Sequence, residues 1–487
     1  FEPLLDVRAA VAELGIPKDR GRLAEIPTLL EAGIVRLQEL AHPDGGFGWW
    51  ATDKSHPEMT SLVVRGLSRV LEHDVDHQLA TMLRDRGVKW LLAWLRSDAS
   101  STADAPTVAS VLAAIVTARS DLEPDIRSLE GRVGRDTPLT RALLLSVAVR
   151  TGADALVASL TRELVETAHQ ADDRTWWSAR PKETSRNEGP TRWQDDDIEA
   201  TAEVLSALYH AGHDDADLFR RGADWLLDNR VGGDRWRSTR DTGAAIRFLA
   251  RHAAESSLRE GIKVNVLLDG QTIGTVVIDR ATIFTDQTVV EIPAERAKPG
   301  TTLELALEGE GRITAGISLR YFETGPAIGK SSSGLTVERR WYVISARVDD
   351  GKPIWTRTPL TETVPSGTLV ESEIVVTTAK AHQYVMVRDP LAGGFEPERE
   401  YGIHVEGREP AAEAHVESYD DATLFFLTDL PEGRTVLRHL ARATHVGSFT
   451  ALPAQAELMY FPEVRGNSDG ELIDVSAGGE AGQEGDE

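Results

Sequence analysis

From Pro3 to about Ala254 the apolar residues recur with a helical period, and from about Ser256 they alternate with a strand period. The first helical stripe is Leu4, Val7, Val11 and Leu14, ended by Gly15 and Pro17. Leu30, Ile34 and Leu37 follow, then Val63, Leu67 and Val70, then Val88, Leu91, Leu92 and Leu95. Further stripes are Val108–Leu112–Ile115, Leu156–Leu160–Leu164, Ile198–Ala202–Leu205–Tyr209, Phe219–Ala223–Leu226 and Ala245–Leu249. These predict roughly ten or eleven helices, each with one apolar face to bury. Short connections make successive helices antiparallel, and about six such hairpins close into a ring, an α/α toroid.

The turns between these helices share a grammar. His42 to Trp50, HPDGGFGWW, joins a Gly-rich turn to Phe47, Trp49 and Trp50. Asp172 to Ala179, DDRTWWSA, has paired Trp, and Val231 to Trp236, VGGDRW, has paired Gly and one Trp. Each is followed by a Thr and small residues: Thr60-Ser61, Thr201-Ala202 and Thr242-Gly243-Ala244. Such units cannot bury their apolar faces alone and must stack on one another. The polar stretch from Arg174 to Arg192 reads as a surface loop.

In the strand half, Ile262, Val264, Val266 and Leu268 alternate up to the turn Asp269-Gly270, and Ile273 to Ile278 returns. Leu303, Leu305 and Leu307 alternate, as do Ile313, Ala315, Ile317, Leu319 and Tyr321. Together they predict a small antiparallel sheet. Gly325 to Gly334 has linker composition. Beyond it, alternating runs at 337–348, 369–378, 384–388, 414–418, 423–427, 435–443 and 456–460 predict a β-sandwich of roughly 100–150 residues. The tail from Ser476 to Glu487 is Gly, Glu and Asp with few apolar residues, and disorder is expected there.

The net charge of −25 argues against nucleic acid and anionic membrane as partners. The chain has no cysteine, which excludes disulfides, zinc–thiolate sites and a cysteine nucleophile within these 487 residues. No run of about 18 apolar residues is present, so no membrane span is predicted. The chain begins with Phe1 and not Met, as expected of a fragment or processed form.

Asp195-Asp196-Asp197-Ile198-Glu199 is the densest acidic cluster. On a toroid it suggests a metal–diphosphate or protonating site, but its spacing is poor, and acids at a helix start also cap the helix and complement its dipole. His73 and His77 would flank a metal only if helical. His210 and His213 with Asp214, Asp215 and Asp217 read as a helix end and the next helix's cap. The Trp pairs suit either hairpin-end packing or a flat apolar platform.

Several stretches together resemble the α2-macroglobulin and complement family. They are HPDGGFGWW with EMTSLVVRGL, RWQDDDIEATAEVLSAL, and ADWLLDNRVGGDRWRSTRDTGAAIRFLA from Ala223 to Ala250. YVMVRDPLAGGFEP (Tyr384 to Pro397) and Phe425 to Gly466 resemble the bacterial branch's last macroglobulin-type domain. The resemblance implies a thioester-type toroid over residues 1–255, the C-terminal half of a CUB-like β-domain over 258–323, and a terminal macroglobulin-type sandwich over 335–475. It also implies a non-enzymatic, exported protease trap, periplasmic, at the cell surface or extracellular, with no cofactor or metal.

The family's thioester requires a Cys-x-Glu-Gln motif, which is not in this chain; it is expected just upstream of Phe1 or not at all. Anchoring to membrane or envelope would likewise lie upstream. By the same resemblance, Phe47, Trp49, Trp50 and Trp236 would wall the thioester pocket. Gln455, Met459 and Tyr460 would be packing or interface residues of the terminal domain. The stretch Ser100 to Val111 holds no histidine where the complement branch uses one, and His56 sits in another turn, so transfer to amines is favoured. Two other readings stand beside the trap. One is a toroid enzyme, a terpene cyclase or glycan-processing enzyme, using Asp195 to Glu199. The other is a structural envelope protein.

Overall fold

The computed structural model of the chain describes residues 2–13, 15, 21–72, 76–119, 133–179, 196–231, 235–255, 261–279, 282, 289–309, 313–318, 328–349, 352–361, 363–398, 405 and 408–478. They fall into two compact units.

The first unit begins with eleven α-helices among the described residues. They are α1 (Glu2–Glu13), α2 (Ile26–Leu40), α3 (Pro57–Leu71), α4 (Gln78–Leu95), α5 (Asp98–Thr102), α6 (Ala105–Ala118), α7 (Pro138–Thr151), α8 (Asp154–Glu166), α9 (Asp197–His210), α10 (Ala216–Asp228) and α11 (Thr239–Glu255). Their starts carry ordinary chemical signals. Asp104 accepts from the Thr107 amide at 3.0 Å to cap α6, and Thr137 accepts from the Thr140 amide at 3.2 Å ahead of Pro138 in α7. Gly152, at φ +68°, ends α7.

Contacts run α1–α3–α6–α7–α9–α11 and back to α1, which closes an inner ring. The expected toroid is therefore present. Inner helices are wrapped on most sides: α7 buries Leu139, Leu143, Leu144, Leu145 and Val147, among others. Outer helices bury a stripe: α10 buries Leu218, Phe219, Gly222, Ala223 and Leu226, the i, i+4, i+8 face. Close inner–outer contact depends on two glycines. A Cβ on Gly87 of α4 would lie 2.6 Å from Val64 Cγ2 of α3, and one on Gly222 would lie 2.6 Å from Leu205 Cδ1 of α9.

Three expectations need correction. The segment read as a loop from Arg174 opens with a strand: β1 (His169–Ala171) pairs with β2 (Arg174–Trp176). The reason is local: Asp172 and Asp173 both take positive φ, 48° and 59°, as a two-residue hairpin turn requires. The rest of that loop, from residue 180, lies outside the described residues. The small sheet contains β3 (Ile262–Leu268), β4 (Gln271–Ile278) and β5 (Leu303–Glu308) in the order β4-β3-β5, with the predicted Asp269-Gly270 turn. Of the alternating run from Ile313 to Tyr321, Leu319 and Tyr321 lie outside the described residues; over Ile313, Ala315 and Ile317 no strand forms, and Ile317 is exposed. Alternation supplies a face, but a strand also needs a partner for its amides.

Among the described residues the second unit is all β. Its strands are β6 (Ser331–Ser333), β7 (Leu335–Asp349), β8 (Lys352–Pro359), β9 (Val364–Pro365), β10 (Leu369–Thr378), β11 (His382–Pro390), β12 (Phe395–Glu398), β13 (His415–Ser418), β14 (Ala422–Leu430), β15 (Gly433–Ala443), β16 (Gly447–Ala451), β17 (Gln455–Leu458), β18 (Phe461–Asn467) and β19 (Glu471–Ser476). A five-stranded sheet, β12-β15-β10-β7-β8, and a six-stranded sheet, β13-β14-β11-β17-β18-β6, form the sandwich, with a three-stranded sheet β16-β19-β9 beside them. Val337, Ile374 and Leu437 of the first sheet share a core with Val385, Val387, Phe425 and Leu458 of the second. The third correction is β6: Ser331–Ser333, read as linker, pairs with Asn467 to Arg465 of β18. An edge strand is held by backbone hydrogen bonds, which a serine run offers as well as an apolar one. The tail from residue 479 lies outside the described residues.

Candidate functional site

The turn from His42 to Trp50 is built by side chains that replace missing backbone partners. Asp44 accepts through Oδ1 from the Gly46 amide at 3.0 Å and the Ser55 hydroxyl at 2.8 Å. Its Oδ2 accepts from Trp90 Nε1 at 2.9 Å. Burial acts to raise the Asp44 carboxyl, but these donors outweigh it and hold it below its ordinary value. Gly46 has no room for a side chain, since a Cβ would lie 2.6 Å from Ser55 Cβ and Oγ. His42 is within 2.9 Å of both the Ser55 hydroxyl and the Trp50 carbonyl.

Phe47 then enters the ring. It is 2 % exposed, packed with Leu5, Ile26, Ile34 and Leu67, and its amide donates to Thr60 Oγ1 at 3.0 Å. Trp49 and Trp50 stay half-buried, and the Trp49 amide donates to Asp53 at 2.8 Å.

The same construction recurs ahead of α9. The Trp177 amide donates to Thr201 Oγ1 at 3.0 Å, and its indole N–H donates to the Leu164 carbonyl at 2.8 Å. Ahead of α11, the Trp236 indole donates to the Leu226 carbonyl at 2.8 Å. In both, the ring donates to the last turn of the preceding outer helix and so ties two hairpins together. Phe47 and Trp236 therefore sit in different core clusters, Trp236 among the residues around α9, α10 and α11. Glu199 and Arg240 join the starts of α9 and α11, so the turns that carry Trp177 and Trp236 share one end of the ring.

The acidic cluster lies at that end, and Asp195 falls outside the described residues. Asp196 caps α9, accepting from the Ile198 and Glu199 amides at 2.7 and 3.3 Å. Asp197 accepts from the Ala179 amide at 2.7 Å. Glu199 pairs with Arg240 of α11. One turn on, Glu203 meets Arg247 at 2.8 Å; Arg247 also reaches Asp6 of α1 at 3.1 Å, and Asp6 meets Arg69 of α3 at 2.7 Å. Burial alone would raise Glu203, but Arg247 and Arg65 pull it below its ordinary value. Asp196 thus caps a helix, Asp197 binds the chain before it, and Glu199 and Glu203 pair with arginine; no metal-holding group of three or more His, Asp or Glu residues occurs among the described residues.

Asp6, Glu203, Arg240 and Arg247 were not singled out in the sequence, and no local signal could have found them: Asp6 and Arg247 are 241 residues apart in the chain. His77 caps α4 and meets Glu31 at 2.9 Å, while His73 lies outside the described residues. His210 Nδ1 is 2.7 Å from the Ser206 carbonyl, His213 packs edge-on to Phe219, and Asp215 caps α10.

In the second unit, Gln455 lies on β17 opposite Arg388, Tyr460 meets Tyr384 edge-on at 5.8 Å, and Met459 is 39 % exposed in the β17–β18 turn. Between the sheets Asp389 of β11 receives Arg339 of β7 at 2.8 Å, Ser372 of β10 at 2.6 Å and His439 of β15 at 2.8 Å. This cluster did have a sequence signal. Val385, Val387 and Asp389 share one strand parity, as do Leu335, Val337 and Arg339, so a charge falls on each inward face.

Residues 131–252 match the family model described as the A-macroglobulin TED domain, and residues 334–463 match the bacterial alpha-2-macroglobulin MG10 domain. The chain is α2-macroglobulin-like. Its fold is that of solved bacterial α2-macroglobulins. The Salmonella protein reacted with methylamine is 19% identical, with TM-score 0.63, over 96% of this chain and 28% of that one. The Escherichia coli protein in its native conformation is 19% identical, with TM-score 0.64, over 96% of this chain and 28% of that one. A native Escherichia coli structure from domain MG7 to the C-terminus is 19% identical, with TM-score 0.61, over 96% of this chain and 70% of that one. No curated protein sequence is similar enough to match. This α2-macroglobulin-like chain thus spans 28% of the length of the first two structures. Trp177, Asp196 to Glu199, Trp236 and Asp241 lie in the TED match, and Asp389, Gln455, Met459 and Tyr460 in the MG10 match.

Proposed function

We propose that this chain belongs to an exported protease trap, in which the ring and the terminal sandwich are moving parts of a larger molecule and neither performs catalysis. The observation that carries the reading is the pairing of a TED match with an MG10 match in one chain. The pairing of Glu199 and Glu203 with arginines also supports it, since a catalytic or metal-binding carboxylate needs an oxygen open to substrate or ion.

In this reading Trp49 and Trp50, half-buried at the turn before α3, form the exposed wall of a pocket at the aromatic end of the ring. Phe47 and Trp236 support that end from within the core. Any thioester cysteine would come from outside these residues, which contain none. The three-stranded sheet β4-β3-β5 would be half of a CUB-like domain. Exposed Leu305 and Leu307 on β5 support this, because an apolar edge strand calls for cover.

The test uses the intact protein incubated with a broad-specificity protease. A trap leaves cleavage of a small peptide substrate intact and suppresses cleavage of a large protein substrate. Equal rates on both would refute trapping.

A further inference from the structure

In the second unit, β19 is paired along the whole of one edge and only part of the other. β16 covers it from Glu471 to Val475. On the far edge β9 runs parallel but meets only Val475 and Ser476. There the Ser366 amide donates to the Ser476 carbonyl at 2.9 Å, and just before the strand the Gly470 amide donates to the Ile328 carbonyl at 2.9 Å. Main-chain groups of a strand point alternately to its two edges, so those of Leu472 and Asp474 point the same way as those of Ser476, away from β16. Among the described residues no main-chain partner meets them on that edge.

Extending the β9 ladder backwards would set Thr363 beside Asp474 and Leu360 beside Glu471. Instead the Leu360 amide donates to the Trp341 carbonyl of β7 at 2.9 Å, and a cavity of about 440 Å³ opens along the unpaired edge. Trp341 lines it and is 5 % exposed, and its buried indole N–H makes no hydrogen bond although Glu471 is near. A buried donor without an acceptor is costly until one is supplied. Glu471 and Asp474 line the cavity too, and among the described residues no lysine or arginine does. Arg339 lies over the Trp341 ring at 5.1 Å, but Asp389 already holds it at 2.8 Å.

We propose that this slot binds an extended, positively charged peptide segment of a partner protein, which adds a strand to the open edge of β19. The added strand exchanges main-chain hydrogen bonds with Leu472 and Asp474 and offers Trp341 a carbonyl. Glu471 and Asp474 are three apart and so point to opposite faces of the sheet, and directly opposed side chains share a face. The segment therefore carries two basic residues three apart. The rival occupant is the chain's own tail after β19. Its charged residues are Glu480, Glu484, Asp486 and Glu487, which Glu471 and Asp474 would repel.

Fluorescence anisotropy on the full chain tests this with a labelled probe, acetyl-Thr-Lys-Val-Thr-Lys-Val-amide. The probe should bind, and the same peptide with glutamate for both lysines should bind at least about tenfold more weakly. Methylating the probe's main-chain nitrogens should abolish binding, which a purely electrostatic contact would not require. Trp341→Phe should weaken binding about fivefold to tenfold through loss of one hydrogen bond. Leu472→Pro removes the outward N–H and no bond to β16, so it should weaken binding while urea unfolding of 335–476 stays near wild type. Should that variant fail to fold, Asp474→Lys decides: it should weaken the lysine probe and improve binding of the glutamate peptide. Absence of saturable binding by the lysine probe would overturn the proposal, as would equal binding by its methylated form or indifference of both peptides to Asp474→Lys. A chain ending at Gly478 that binds the probe tenfold more tightly than the full chain, on the order of 1.4 kcal/mol, would make the tail the occupant and overturn it too.

Discussion

Replacing Asp389 with Ala isolates the central polar contact of the sandwich. Both its side chain and that of Arg339 are 0 % exposed. Arg339 keeps two backbone acceptors, the carbonyls of Leu452 at 2.6 Å and Ala451 at 3.1 Å, and the more distant charge of Glu471, but loses the carboxylate it pairs with. Removing one partner of a buried ion pair costs about 3–5 kcal/mol, because the remaining charge is uncompensated. The Ser372 hydroxyl and His439 lose their acceptor as well, and those losses overlap with the first. For a unit of this size the cost corresponds to roughly 6–20 °C in melting temperature.

The two units need not unfold together, so the assay is proteolysis across a urea series, following peptides from 335–476. A loss below about 1 kcal/mol would refute the reasoning, since it would mean Arg339 reaches water without Asp389. The double variant Arg339→Met with Asp389→Leu should recover most of the loss, because removing both charges together removes the penalty. Acid gives an independent check. Burial acts to raise Asp389, but hydrogen bonding and charge from His439, the charge of Arg339 and the Ser372 hydroxyl hold it below the ordinary 3.8. Its contribution is fully present above that unfolded value and is lost as pH falls through the lower folded value. Asp389→Asn should accordingly flatten the stability profile below about pH 4.

The ring offers two further predictions. Thr201→Val keeps the shape but removes the oxygen that receives the buried Trp177 amide, and should cost about 1–3 kcal/mol, read as early urea unfolding of 138–255. An effect on peptides of the sandwich alone would contradict it. Gly87→Ala places a methyl 2.6 Å from Val64 Cγ2 and should cost about 1–3 kcal/mol; adding Val64→Ala should return part of that, measured by melting temperature. If Val64→Ala adds its full cavity cost on top, α3 and α4 do not meet as described.

The sequence alone determined the period of each element, and hence the helical ring, the sheets and the Gly–aromatic turns that punctuate the ring. Apolar spacing at 3.6 and 2 is a property of neighbours in the chain, and so is the Asp269-Gly270 hairpin. Even the thioester-type resemblance rested on contiguous phrases such as HPDGGFGWW. The run at Ile313 to Ile317 marks the limit: its pattern is strand-like, yet no strand forms there, while Ser331–Ser333, with no apolar pattern, pairs with β18. What only tertiary structure decided was which charges meet. Asp6 finds Arg247 across the closure of the ring, and Asp389 finds Arg339 across two sheets. A charge in sequence carries no record of its partner, because the energy of burying it depends on groups that folding alone brings within a few ångströms.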